Sequence, residues 1–337
     1  MSRRRMVVSA GLLAVVIASV ATGMIVTNGP SMAKHAVTSR HCADPADDIF
    51  VGGTGGIQAL ADPAATEQLR ETCGVGLYVH SAVWSGPYHI ATSIRRQIAA
   101  VFADTGPATI EVGFKTHDLW SQVYPQEYER LGVHAETANV DVFVPGGITK
   151  NPISFSAWKE FVDAARRDGV KTVAPIIGLT SGLGRGGDGP FGGPYGSDGK
   201  VRPAIQAEYE RMASYGGGIS LDDPVNFPYW KFARFRAAIA SVLRWAEKHH
   251  LDADLIVSPG GAADPSGARF LSDTQHVIAI LAGANALPTT FSVENYISPA
   301  QPPPSGYVNL IVPDTSSETE SGVALWLAHY LHARHAP

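Results

Sequence analysis

The chain has 337 residues, with 26 Lys plus Arg against 31 Asp plus Glu, a formal net charge of -5, and charged residues at only 17%. This balance indicates no basic face for nucleic acid, and 35 glycines with 23 prolines point to long loops on a rigid scaffold more than to disorder. A repeat solenoid, a coiled coil and a polytopic membrane protein are excluded as well.

In chain order, Arg3, Arg4 and Arg5 precede an uncharged stretch from Met6 to Val26. Residues 1–26 therefore have the basic and apolar regions of an export signal. Ser19 and Ala21 suit a cleavage site, whereas the length of the apolar run also suits an uncleaved single-pass anchor, and both readings stay open. Residues 27–41 read as a polar tether and 42–74 as a pre-barrel segment. Cys42 and Cys73 are the only cysteines. In an exported chain they are expected to form a disulfide worth about 3 to 4 kcal/mol, with a reactive thiolate as the alternative.

From residue 75 to 337, short β-rich runs alternate with helical patterns, the order that builds a parallel sheet. The strands are read at Val75 to His80, Thr109 to Lys115, Asn139 to Val144, Lys171 to Ile177, Gly218 to Asp222, Asp254 to Ser258, Thr289 to Glu294 and Val308 to Val312. Helices are expected at Ala91 to Ala103, Phe155 to Asp168, Tyr229 to His249, Ala268 to Leu281 and Glu318 to His332. Eight such units predict an α/β fold of the (β/α)8 TIM-barrel type, with a doubly wound open sheet as the alternative. An earlier run, Ile49 to Val51, is either a ninth short strand or a plug beneath the barrel.

Alternate side chains of a barrel strand face the surrounding helices and the interior. Apolar residues mark the helix side, so the rule sends His80, Glu111, Lys115, Asp141, Ser220, Asp222, Ser258, Ser292, Glu294 and Asn309 inward. Glu111 and Asp141 are expected to sit deeper, as interior ion pairs. Asp222 and Glu294 fall at the carboxyl ends of strands two apart, where barrel enzymes place their chemistry.

Paired carboxylates at that reach suit cleavage of a glycosidic bond, with one protonated to assist the leaving oxygen and the other acting as nucleophile or water base. Glu294 is the expected acid and Asp222 its partner, while Asp223 caps the following turn or modulates Asp222. Substrate contacts are expected from His80, Lys115, His117, Asp118, Asn295 and the loop aromatics Trp84, Trp120, Tyr195, Tyr229, Trp230 and Tyr296, whose flat rings stack on sugars. Trp158, Trp245 and Trp326 lie in helical patterns and belong to the core. Gly178 to Gly199 reads as a lid over the mouth, because Pro190 and Pro194 prevent the helix that a dinucleotide fingerprint requires. The histidines form no close ligand set, so neither a metal nor a cofactor is implied, and His249, His250, His329, His332 and His335 are expected at the surface.

The strand-end acids, in Ser220-Leu221-Asp222-Asp223-Pro224 and Phe291-Ser292-Val293-Glu294-Asn295, together with the aromatic loops, resemble the glycoside-hydrolase type of TIM barrel in general, with no specific family. The resemblance implies a glycosidase, and with the export signal it gives an enzyme expected to act on a cell-surface or extracellular polysaccharide or oligosaccharide. Two other classes stay open. One is a non-catalytic glycan-binding or assembly protein. The other is a phosphodiesterase, since Ile110-Glu111-Val112-Gly113 and His117-Asp118 are similar to fragments of glycerophosphodiester phosphodiesterases.

Overall fold

The computed structural model describes residues 49–52, 72, 74–80, 108–113, 120, 134–142, 153–178, 203–222, 225, 228–258, 269–294 and 320–335. The chain divides into two units, Met1–Arg40 and His41–Pro337, and every described residue belongs to the second. The expected export signal, the tether, Cys42, Cys73, the Ala91 to Ala103 helix, the glycine-rich lid after Gly178 and the Val308 to Val312 strand all lie outside the described residues. Among the described residues no helix is long and apolar enough to cross a membrane.

Eight strands form the sheet: β1 (Ile49–Gly52), β2 (Val75–His80), β3 (Ala108–Gly113), β4 (Ala135–Asp141), β5 (Thr172–Ile177), β6 (Gly218–Asp222), β7 (Asp252–Val257) and β8 (Thr290–Glu294). Each pairs in parallel with its sequence neighbour, and β8 pairs in parallel with β1 to close the barrel. This is a (β/α)8 barrel. The run at Ile49 is neither a ninth strand nor a plug but the first barrel strand, so the barrel begins inside the segment expected to precede it. The strands that carry Asp222 and Glu294 thereby become β6 and β8, still two apart.

The described helices are α1 (Phe155–Arg167), α2 (Pro203–Gly216), α3 (Ala233–Lys248), α4 (Phe270–Gly283) and α5 (Glu320–His335), with a 3-10 turn at Pro228–Lys231. Four match expected helices to within a few residues, and α2 adds to them. Each helix forms because one stripe of apolar residues can be buried. In α1 the stripe is Trp158, Phe161, Val162 and Ala165, and in α3 it includes Phe235, Ile239, Val242, Leu243 and Ala246. The Ser154 hydroxyl caps α1 by accepting from the Ala157 amide at 3.2 Å, which satisfies one of the amides left unpaired at a helix start.

Helices α1, α3 and α4 end alike. Gly169, His250 and Asn285 take positive φ, and the amide two residues past each C-cap returns to a carbonyl of the last turn, as in Val170 to Ala165 at 3.1 Å. At the end of α2 a Cβ on Gly216 would collide with the Val173 carbonyl oxygen. Glycine there lets the helix end close on β5 before the chain enters β6.

Candidate active site at the barrel mouth

The outward faces of the strands supply the main core: Val75, Leu77, Val79, Ile110, Val140, Val173, Ile219, Leu221, Leu255, Val257, Phe291 and Val293 are buried together with the helix stripes. The inward faces are different. Phe50, Tyr78, Ala174, Ile176 and Ile256 are buried yet stand apart from that core cluster, and Thr109, Asn139, Ser220, Asp254, Ser292 and Glu294 are buried on the same inward faces.

The register fixes which inward residues share a level. Asp222 pairs through Ile256 with Ser292 on β8, and Glu294 lies two residues further on. Glu294 pairs through Gly52 with Tyr78 on β2, and two further on is His80. His80 pairs through Glu111 with Asn139, two residues before Asp141. Asp141 pairs through Ile176 with Ser220, two residues before Asp222. Four steps of two residues each return to the starting point, the stagger that closes a barrel of this class. His80, Asp141, Asp222 and Glu294 thus occupy one layer, from alternate strands, at the carboxyl ends.

This arrangement corrects the expected depth of Asp141. It lies level with Asp222 and is exposed, whereas Glu111 holds the register position one layer lower. Of the two acids expected to work as a pair, Asp222 is exposed and Glu294 is buried, at 3% of its accessible surface. Near Asp141, the buried Tyr209 hydroxyl donates to the Val142 carbonyl at 3.0 Å. Its acidity is pushed down by burial and then by the charge of Asp141, so the phenol stays protonated and β4 is pinned to α2 beside the mouth.

Below this layer lies a residue that sequence reasoning missed. Asp254 on β7 is fully enclosed, and its Oδ2 accepts from Asn139 Nδ2 and Ser220 Oγ, both at 2.8 Å. Its Oδ1 accepts from Ser292 Oγ at 3.1 Å and Thr290 Oγ1 at 3.2 Å. Strands β4 and β7 are not neighbours, so the Asn139 bond passes through the barrel interior. Burial raises the Asp254 pKa to about 6 while the four hydrogen bonds pull it down, and burial prevails. The sequence carries a signal for it: Asp254 has the same parity as Ser258 and directly precedes the apolar run from Leu255 to Val257.

Two expected sugar platforms are corrected. Trp120 is buried; its Nε1 donates to Asp168 Oδ2 at 2.7 Å and its ring meets Phe161 edge-on at 5.5 Å. Asp168 caps the end of α1 that leads into β5, so Trp120 belongs to the packing at the opposite end of the barrel from the mouth. Trp230 is also buried, edge-on to Phe235 at 5.1 Å. The apolar area of an indole stabilises a core as readily as it stacks on a sugar. Tyr229 is partly buried against the same core.

Trp158 is buried, and Trp245 and Trp326 pack partly buried against the core, as their helical positions imply. His249, His250, His329 and His332 are exposed. For His80 the strand position is described but not the side chain. Trp84, Lys115, His117, Asp118, Tyr195, Asp223, Asn295 and Tyr296 lie outside the described residues. Among the described residues no cluster of three His, Cys, Asp or Glu side chains is arranged to hold a metal ion.

No family model and no curated protein matches the chain. Among solved structures, it is similar to the GH99 endo-alpha-mannosidase from Bacteroides thetaiotaomicron, at 10% identity and a TM-score of 0.47 over 85% of this chain and 82% of that one. It is also similar to hydroxymethylglutaryl-CoA lyase from Pseudomonas aeruginosa, at 16% identity and a TM-score of 0.41 over 73% and 75%. A third is D-psicose 3-epimerase from Clostridium cellulolyticum H10, at 10% identity and 0.40 over 84% and 98%. Likenesses this distant carry no argument about activity. The barrel assignment rests on strand order and register, which fix the class of fold and leave its chemistry to the mouth.

Proposed function

We propose that the chain is an exported glycosidase that cleaves a cell-surface or extracellular polysaccharide, with Glu294 as general acid and Asp222 as nucleophile or water base. The observation that carries this reading is the shared layer. Of the three acids in that layer at the carboxyl end of the closed barrel, Asp141 and Asp222 are exposed and Glu294 alone is buried, and Asp222 stands two strands from it across β7. Glycosidic cleavage needs two acids in unequal surroundings, so that one keeps a proton while the other stays charged.

The test is a panel of polysaccharides and oligosaccharides offered to the purified chain and to its Glu294→Gln variant. Hydrolysis by the parent that falls by about 10²- to 10⁴-fold in the variant, with binding retained, supports the enzyme. Binding without turnover, indifferent to the substitution, replaces it with a glycan-binding protein. Neither binding nor hydrolysis on any glycan overturns the reading.

A further inference from the structure

The geometry points to Asp254 as the positioning residue that sets how far apart Asp222 and Glu294 stand. This inference rests on the reading of those two acids as the working pair. Strand β7 lies between the strands that carry them. From β7 the Asp254 carboxylate reaches both ways, taking Ser220 Oγ on β6 at 2.8 Å with one oxygen and Ser292 Oγ on β8 at 3.1 Å with the other. Ser220 is two residues before Asp222 and Ser292 two residues before Glu294, on the same inward face. Each serine therefore fixes the stretch of strand from which an acid projects.

A third arm, from Asn139 Nδ2 at 2.8 Å, crosses the interior to the strand that ends in Asp141. One carboxylate thus ties three of the four strands that supply the mouth layer. No direct contact with substrate is implied, because Ile176 and Ile256 hold register positions in the layer between Asp254 and the mouth. Holding two acids at a set separation is what distinguishes a nucleophile from a water base in a carboxylate pair, so the clamp acts on the type of reaction as well as its rate.

The conservative change is informative. In Asp254→Asn the amide oxygen can still accept from Ser220 and Asn139, while the new amide nitrogen faces the Thr290 and Ser292 hydroxyls, which can turn to accept. Asp254→Ala removes every arm, and Ser220→Ala and Ser292→Ala remove one each.

The experiment follows the Asp222 and Glu294 side-chain carboxyl resonances by carbon-13 NMR across a pH titration in the full chain, which needs no substrate. The expected result is displaced titration curves for both acids in Asp254→Ala, for Asp222 in Ser220→Ala and for Glu294 in Ser292→Ala, with near-parent curves in Asp254→Asn below pH about 6, where the Asp254 carboxyl is itself neutral. If Asp254→Ala does not fold, the two serine variants carry the test. Folded serine variants with both titrations unchanged overturn the inference, whatever the glycan panel shows. Where the panel yields a substrate, the serine variants are expected to lose up to about 100-fold in kcat with little change in KM. A loss confined to KM counts against positioning.

Discussion

The two surfaces of the barrel wall come from the same strands and differ in chemistry: the outer one is apolar, whereas the inner one mixes apolar residues with polar and acidic ones. On β8, Phe291 and Val293 face the helices while Ser292 and Glu294 face the interior, and on β6 Ile219 and Leu221 oppose Ser220 and Asp222. The outer surface is held by apolar burial against the helices, a non-directional force that accepts many sequences. The inner surface places serines, an asparagine and an aspartate where water is excluded, and such groups are stable only when their donors and acceptors meet. Asp254 meets four donors. The contrast teaches that in this barrel the fold is secured on the outside, which leaves the inside free to hold charge.

The widest gap between the two surfaces should come from neighbouring residues on β8. Phe291→Ala removes a fully buried ring from the outer packing and is expected to cost about 3 to 5 kcal/mol of stability. Ser292→Ala, one residue on and facing inward, should cost on the order of 1 kcal/mol. Urea unfolding of both variants measures the difference, and equal costs would break the contrast.

The inner surface should also show itself through pH. The Asp254 carboxyl is raised from 3.8 to about 6 in the native state, so between these values the folded chain binds a proton that the unfolded chain has released. Its contribution to stability is therefore greatest below pH about 4, falls as the pH rises to about 6 and stays low above that. The full change is about 3 kcal/mol. Unfolding free energies measured from pH 4 to 7 should show this decline in the parent and lose it in Asp254→Asn. Parallel curves for the two proteins would remove Asp254 as the source.

The smallest effect concerns Trp120, which the sequence places among the mouth aromatics and the structure buries. Trp120→Phe keeps most of the apolar contact with Phe161 but deletes the bond to Asp168, so a loss of about 1 kcal/mol is expected, with glycan binding unchanged. Weakened binding in a folded Trp120→Phe protein would return this residue to the site.

Much of the architecture was legible because both periods were strong. Val75, Leu77 and Val79 alternate with Gly76 and Tyr78, and Trp158, Phe161, Val162 and Ala165 repeat at helical spacing, so strand and helix could be told apart by the spacing of apolar side chains alone. The four-residue strand at Ile49 resisted the same reasoning. A run that short carries too little alternation to reveal whether it pairs, and its place is fixed only by hydrogen bonds to β2 and β8. The aromatic residues misled for a related reason. Trp120 and Trp230 follow strands just as platform residues would, and nothing local tells a ring that faces a cleft from one that faces a helix.

The sequence by itself determined the alternation of strands and helices, the inward parity of Asp222 and Glu294, and their place at strand ends, because all three depend on periodicity within a single element. Only the tertiary structure decided that Ile49–Gly52 closes the barrel, that His80, Asp141, Asp222 and Glu294 share a layer, and that Asp254 gathers donors from β4, β6 and β8. These features depend on stagger between strands far apart in the chain, and stagger is set by closure of the whole barrel, not by any one segment of it.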